Sequence, residues 1–309
     1  METCHRLRRL SLHVAGTLLG ASLVSLPCIA QQSPGGASTW AAVDQALGRT
    51  GAAQPGNVMK YGFPRSDLHV TIDGVQVKPA LALGSWVAFK PIGGGHAMMM
   101  GDLVLTENEV APVMRALQEG GVEQTALHNH VLGESPRVMY MHVSGHGNAV
   151  KLAQAVRSAL AQSGTPLQAA ASAAAATAID LDTALIARAL GVSGKVNGGV
   201  YQVAVPRREP IREGGSEVPS SMGVATSINF QPTGGGKAAI TGDFLVTGKE
   251  VNPLIQALRA SHIEVMAIHS HMLDEEPRMF FVHFWANDDA LRLAQGIRVA
   301  LDKTAVALH

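Results

Sequence analysis

The chain carries the sequence MGDLVLT at residues 100–106 and TGDFLVT at residues 241–247. The similarity extends in both directions, so that residues 85–160 align without a gap onto residues 226–301 at a constant offset of 141. An internal period defines the structural unit, and a period of this length is that of a whole domain rather than of a short solenoid repeat. The sequence therefore predicts two copies of one domain.

Each copy shows the same succession of hydrophobic patterns. In the first copy, runs of strand-like residues and helical spacings of apolar residues predict strand, strand, helix, strand, strand, helix. The predicted segments are 85–90, 97–105, a helix after 106, 122–131, 138–143 and 148–160. Thr106 and Glu109, like Thr247 and Glu250, form the pattern of a helix capping box. This order predicts an α+β fold of two homologous two-layer domains, each a largely antiparallel sheet with helices on one face.

The first thirty residues are typical of an export signal. Arg6, Arg8 and Arg9 precede an apolar stretch over residues 10–26, and small residues before Gln31 offer a cleavage site. The predicted organisation is a signal peptide over 1–30, a first repeat over 31–162, an Ala/Ser-rich linker over 163–178 and a second repeat over 179–309. We therefore expect a periplasmic or secreted protein.

Composition narrows the range of partners. The 24 basic residues balance the 24 acidic ones, and no basic stripe is present, which argues against a nucleic-acid partner. Both cysteines, Cys4 and Cys28, lie in the predicted signal peptide, so the mature chain is expected to contain none. Pro27 directly before Cys28 argues against lipid attachment there. No transmembrane segment is predicted in the mature chain, because no other stretch is long and apolar enough.

Histidines recur at the same positions in both copies. His128 and His130 are two residues apart on a predicted strand, so their rings project from one face, and His142 lies on the next strand. Three imidazoles on adjacent strands are a good donor set for a divalent transition metal, with zinc the first candidate. The second copy repeats the set as His269, His271 and His283, which predicts one such site in each repeat. The alternative is that these histidines only hydrogen-bond within the fold.

Charged residues near the histidines are also present in both copies. Glu134 and Glu275, and Asp102 and Asp243, could serve as additional ligands or transfer protons. Arg137 and Arg278 each follow a proline at the start of a strand. Since an arginine fork binds a carboxylate or phosphate through two hydrogen bonds, these two could hold an anion or instead pair inside the fold, with Glu134 or Asp102 in the first repeat.

These motifs resemble a family of exported proteins named after the mycobacterial lipoproteins LppY and LpqO, whose domain is known as DUF1259. The resemblance rests on residues 100–106 with Glu109 and Val110, on residues 125–130, and on Pro136-Arg137 followed by Tyr140-Met141-His142. It implies an exported, duplicated domain and no established activity.

Three functions therefore stay open from the sequence. The leading interpretation is an exported protein that binds a metal or small-molecule ligand at the histidine sets. The second is a metal-dependent hydrolase or oxygenase that uses the same histidines, which requires an open coordination position. The third is a structural envelope protein without a metal.

Overall fold

The computed structural model describes residues 35–168 and 178–308. The predicted signal peptide and most of the predicted linker lie outside these residues. The described part forms one compact unit. Within it, no helix has the length and apolar character that crossing a membrane requires.

The elements follow the same order in the two repeats. The helices are α1 (Gly35–Leu47), α2 (Pro79–Ala82), α3 (Glu107–Glu119), α4 (Ala149–Leu160), α5 (Thr183–Leu190), α6 (Gly248–Ala260) and α7 (Ala290–Leu301), with a 3₁₀ turn at Ser220–Met222. The strands of the first repeat are β1 (Ala52–Gln54), β2 (Val58–Pro64), β3 (Thr71–Ile72), β4 (Val75–Gln76), β5 (Gly84–Gly93), β6 (His96–Thr106), β7 (Glu123–His128) and β8 (Val138–Asn148). Those of the second are β9 (Lys195–Asn197), β10 (Val200–Pro206), β11 (Ile211–Glu213), β12 (Ser216–Val218), β13 (Ala225–Gly234), β14 (Lys237–Thr247), β15 (Glu264–His269), β16 (Glu275–Glu276) and β17 (Met279–Asp289).

Each repeat builds a six-stranded antiparallel sheet with the same strand order. The first sheet runs β7-β8-β6-β5-β2-β1, and the second runs β15-β17-β14-β13-β10-β9. This confirms the α+β prediction and the structural equivalence of the two copies. The sequence analysis did not predict β1 and β2, or their counterparts β9 and β10.

The two sheets pack against each other, and the helices cover their outer faces. Along β6, Met99 packs against the helices of its own repeat, whereas Met98 and Met100 pack against residues of the other repeat. Side chains on a strand alternate between faces, so one strand contributes to both layers. The result is a four-layer arrangement of helices, sheet, sheet and helices, whose central interface contains residues of both copies.

The capping boxes of α3 and α6 are formed as predicted. Thr106 with Glu109, and Thr247 with Glu250, exchange the expected side-chain and backbone contacts. Pro112 and Pro253 lie inside continuous helices rather than at their first turns. The helices therefore begin directly after the threonines.

A buried arginine holds each capping glutamate. The Arg65 side chain is 1% exposed, and its guanidinium bonds Glu109 at 2.8 Å, Asp67 at 2.8 Å and the carbonyl of Val104 at 2.6 Å. Arg207 makes the equivalent contacts with Glu250, Glu209 and the carbonyl of Leu245. The sequence analysis missed this pair, because Pro64-Arg65 and Pro206-Arg207 are 142 residues apart and fall outside the gapless alignment.

Candidate metal centre

The histidines lie at one end of the interface between the sheets. His128 is the last residue of β7 and lies opposite Tyr140 on β8, while Ala126 lies opposite His142. Residues directly opposite each other in an antiparallel pair share a face, so the rings of His128 and His142 point the same way. In the second repeat, His269 lies opposite Phe281 and Ala267 opposite His283. The strand pairing therefore brings the predicted residues together.

His130 and His271 differ from the sequence prediction in one respect. Strands β7 and β15 end at His128 and His269, so His130 and His271 follow the strands instead of lying within them. The chain turns there toward the loop that contains Pro136 or Pro277. The rings still join the cluster, since the ring centroids of His128 and His130 are 5.1 Å apart and those of His269 and His271 are 4.9 Å apart.

The two expected triads form one cluster. His128 stacks on His269 with 3.6 Å between ring centroids. His142 stacks on His271 at 3.6 Å, and His130 stacks on His283 at 4.0 Å. Each stack joins the two repeats, and these distances are shorter than those within a repeat. The two histidine sets predicted for the separate repeats therefore meet in one cluster of six, because the inner faces of the two sheets meet there.

The cluster follows the internal pseudo-twofold symmetry. His128 and His269 are equivalent residues and lie at the axis, and the other two stacks are images of each other. Tyr140 and Phe281 flank the cluster symmetrically, stacking on His130 at 3.3 Å and on His271 at 3.4 Å. Both aromatic residues are buried.

The cluster presents ring nitrogens that could bind a metal. Among the described residues, the Nε2 atoms of all six histidines are buried without a hydrogen-bond partner. Buried polar atoms are nearly always paired, and each unpaired one costs about 1–3 kcal/mol. One donor set comprises His128, His269, His271 and His283, and a second comprises His128, His130 and His142, with the ligand atoms of each set within 4.8 Å of one another. A tetrahedral zinc ion holds its nitrogens about 3.4 Å apart, so the rings would have to turn and move closer to complete either set.

Backbone carbonyls orient two of the rings. Nδ1 of His283 donates to the carbonyl oxygen of Gly242 at 2.9 Å, and Nδ1 of His128 donates to that of Asn129 at 3.2 Å. Since a carbonyl only accepts, both rings carry their hydrogen on Nδ1 and leave the lone pair on Nε2. Metal-binding histidines are commonly fixed in this way.

Burial keeps the histidines uncharged. It lowers the pKa of His128 to about 4 and, together with the neighbouring His128, that of His269 to about 3. Burial also lowers the pKa values of the other four histidines well below the ordinary value. Neutral imidazole is the form that binds metals, so near pH 7 no proton has to leave before an ion enters.

Two aspartates lie beside the cluster. Asp102 is opposite His142 on the neighbouring strand, with 3.9 Å between Oδ1 and Nε2, and Asp243 is opposite His283. Burial and then the charge of Asp243 raise the pKa of Asp102 to about 8, while burial raises the pKa of Asp243 to about 7. Burial lowers the pKa of Lys60 to about 8, and the ammonium group of Lys60 lies 3.9 Å from the centre of the Trp86 ring. The carboxylates are thus placed to accept or release a proton next to the histidines.

The two glutamates stabilise the loops that carry His130 and His271. Glu134 accepts a hydrogen bond from the backbone N–H of Val138 at 3.2 Å, and Glu275 accepts one from that of Met279 at 2.8 Å. Both bonds close the loop between the two strands of the histidine set. Burial raises the pKa of Glu134 to about 7.

The predicted anion-binding arginines are exposed and contact acidic residues of the fold. Arg137 lies 3.6 Å from Glu107, and both side chains are mostly exposed. Arg278 lies 3.2 Å from Glu275 and donates to the carbonyl of Leu273 at 3.0 Å. Arg278 thus pairs with the glutamate equivalent to Glu134, whereas Arg137 contacts Glu107 rather than Glu134 or Asp102. His96 and His146, present only in the first copy, are exposed.

The chain matches a family model over both of its repeats. The family model described as "Domain of Unknown Function (DUF1259)" matches residues 41–162 and again residues 184–303. No curated protein sequence matches the chain. Among solved structures, the chain is similar to one titled "Crystal structure of a trimeric bacterial microcompartment shell protein PduB", with 13% identity over 84% of this chain and 95% of that one. The TM-score of that match is 0.21, and we draw nothing from it.

Proposed function

The chain belongs to the DUF1259 family, in two tandem copies, and we propose that its six-histidine cluster binds a divalent transition metal, zinc first among the candidates. The observation that carries the proposal is the convergence of six buried, unpaired Nε2 atoms at the interface of the two sheets. Imidazole nitrogen is a preferred zinc ligand, and coordination would supply the partner that these atoms lack.

The four-histidine set is the proposed primary position. His128, His269, His271 and His283 match the ligand number of a tetrahedral zinc ion. Because this set draws one ligand from the first repeat and three from the second, metal binding would tie the two repeats together. The same chemistry supports a role in holding or transferring a metal.

Export is the second part of the proposal. The basic and apolar pattern of residues 1–30 supports a signal peptide that is removed near Ala30, which would place the metal site in the periplasm or outside the cell. Intact-mass measurement of protein from its native compartment tests this. A chain that retains residues 1–30 would contradict it, and a lipid on Cys28 would indicate membrane attachment instead.

Elemental analysis tests the metal site. The full chain, purified without an affinity tag of histidines and without chelators, should contain at least one equivalent of a transition metal or take up added Zn²⁺ with that stoichiometry. Zinc present at about 100 times its dissociation constant contributes about 2.7 kcal/mol to the free energy of unfolding, which corresponds to a rise in Tm of roughly 5 °C or more. A chain that takes up no metal, and whose Tm zinc leaves unchanged, would favour the purely structural role of the histidines.

A further inference from the structure

A small cavity adjoins the histidine cluster on one side. It is bordered by His142 of the first repeat and His271 of the second, which stack on each other. Its other walls include Thr125 and the side chains of Trp86, Met100, Met222, Met272 and Phe281. The space holds about one water-sized molecule, so it excludes large substrates.

The opposite side of the cluster is built differently. At the positions equivalent to Met222, Met272 and Phe281, the first repeat has Leu81, Val131 and Tyr140, and these are buried in one hydrophobic cluster. Tyr140 donates its hydroxyl to the carbonyl of Ala82 at 3.0 Å. Trp285 completes the packing there, whereas the equivalent residue of the first repeat is the much smaller Ser144. The two sides of the cluster thus differ in the side chains at equivalent positions.

We propose that this cavity is the path by which a small exogenous ligand reaches the metal bound at the histidine cluster. The inference rests on the metal site proposed above. The cavity holds about one water-sized molecule, so the ligand class that fits is a molecule of one or two heavy atoms, such as water or a neutral diatomic gas. An ion held by the three-histidine set, His128, His130 and His142, would have the open coordination position that catalysis at a metal requires, and His142 of this set borders the cavity. The equivalent place in the other repeat is filled by Tyr140 and its buried neighbours.

Cobalt loading and nitric oxide test the path. Co²⁺ replaces zinc with a visible spectrum, and nitric oxide is a neutral diatomic probe of the proposed size. Adding nitric oxide to the cobalt-loaded full chain should change the visible spectrum and abolish the electron paramagnetic resonance signal of the free cobalt site. Met222→Phe fills the cavity, so it should weaken nitric oxide binding at least tenfold while the cobalt content stays unchanged.

The equivalent position in the other repeat supplies the matched control. Leu81→Phe, or Leu81→Met where the larger residue unfolds the chain, should change nitric oxide affinity less than twofold. Met222→Ala enlarges the cavity and should admit imidazole, which the wild-type chain excludes. The path would be overturned by equal effects at Met222 and Leu81, or by a cobalt-loaded chain that does not respond to nitric oxide. Either result would leave the proposed metal site unaffected. A chain that binds no cobalt would overturn both, and the cobalt content distinguishes the two failures.

Discussion

His128 and His269, equivalent residues of the two repeats, stack face to face with 3.6 Å between their ring centroids. The pair lies at the pseudo-twofold axis, and four further histidines surround it. His128 belongs to both donor sets, whereas His269 belongs to the four-histidine set alone. This difference makes the two residues separable by mutation.

His128→Ala should weaken zinc binding more than His269→Ala does. The first change removes a ligand from both sets, and the second leaves the three-histidine set intact. We expect a loss of about 100-fold or more for His128→Ala, since even outer-sphere changes cost 10- to 100-fold. Competition with a chromophoric chelator measures the affinity. His96→Ala and His146→Ala, at exposed positions, are the matched controls, and an effect there equal to that of His128→Ala would contradict the assignment.

The metal-free chain should be most stable near pH 6.5. The folded-state pKa values of the six histidines lie below their unfolded value, so the unfolded chain takes up more protons as the pH falls below 6.5, and stability is lost. Asp102 and Asp243 act oppositely, because their folded pKa values are raised from 3.8 to about 8 and about 7, and their contribution is lost as the pH rises from the ordinary carboxyl value to those raised values.

Urea unfolding in the presence of a chelator, from pH 5 to pH 8, measures this profile. Below pH 6.5 the six histidines outweigh the two aspartates and Glu134, and above it these carboxylates continue to titrate until Lys60 opposes them near pH 8. Asp102→Asn should therefore reduce the decline above pH 6.5, and stability should still fall toward pH 5. A stability that rises steadily toward pH 5 would contradict the burial of neutral imidazoles.

Arg65→Met should destabilise the chain by about 3 kcal/mol. The substitution leaves the Val104 carbonyl and Glu109 without their buried partner, and breaking a buried ion pair costs about 3–5 kcal/mol. The lower end of that range applies because Glu109 keeps some access to water. Urea unfolding should show a similar loss for Arg207→Met. Arg137→Ala, an exposed arginine at 3.6 Å from Glu107, is the control and should change the free energy of unfolding by less than about 1 kcal/mol.

Glu275→Ala should lower zinc affinity through the position of His271. Glu275 is buried, and its hydrogen bond to the Met279 N–H closes the loop that carries this histidine. Without the bond, His271 loses its fixed orientation, and we expect a loss of about 10-fold, as for other groups that orient ligands. Glu275→Gln keeps an acceptor and should restore most of the affinity in the same chelator competition. Equal losses for both variants would indicate that the charge, rather than the hydrogen bond, matters.

Local sequence patterns predicted most of each repeat. The capping boxes at Thr106 and Thr247 marked the starts of α3 and α6, and the strand predicted over residues 97–105 lies within β6. These features depend on neighbours within a few residues, which the sequence displays directly. Strands β2 and β10 were not predicted, because the offset between them differs by one residue from the offset of the gapless repeat. A search for the Pro-Arg pair at an offset of 142 would have found Arg65 and Arg207.

The merging of the two histidine sets could not be predicted from local patterns. The spacing of His128, His130 and His142 indicates which strand faces they share, but not which surface packs against that face. The contact between His142 and His271 depends on how two sheets far apart in sequence dock. Similarly, the role of Asp102 beside His142 follows from the register of β6 and β8.

The three stacks that cross the repeats have a consequence for how this chain could have arisen. A shorter ancestor with one repeat would have assembled the same six rings only as a homodimer, with each subunit contributing three. In such a dimer every substitution appears in both subunits, so the residues on the two sides of the histidine cluster must be the same. Two copies in one polypeptide are free of that constraint, and here Trp285 and Met222 stand where the first repeat has Ser144 and Leu81. A single chain can therefore present two different surroundings to the two sides of one symmetric set of rings.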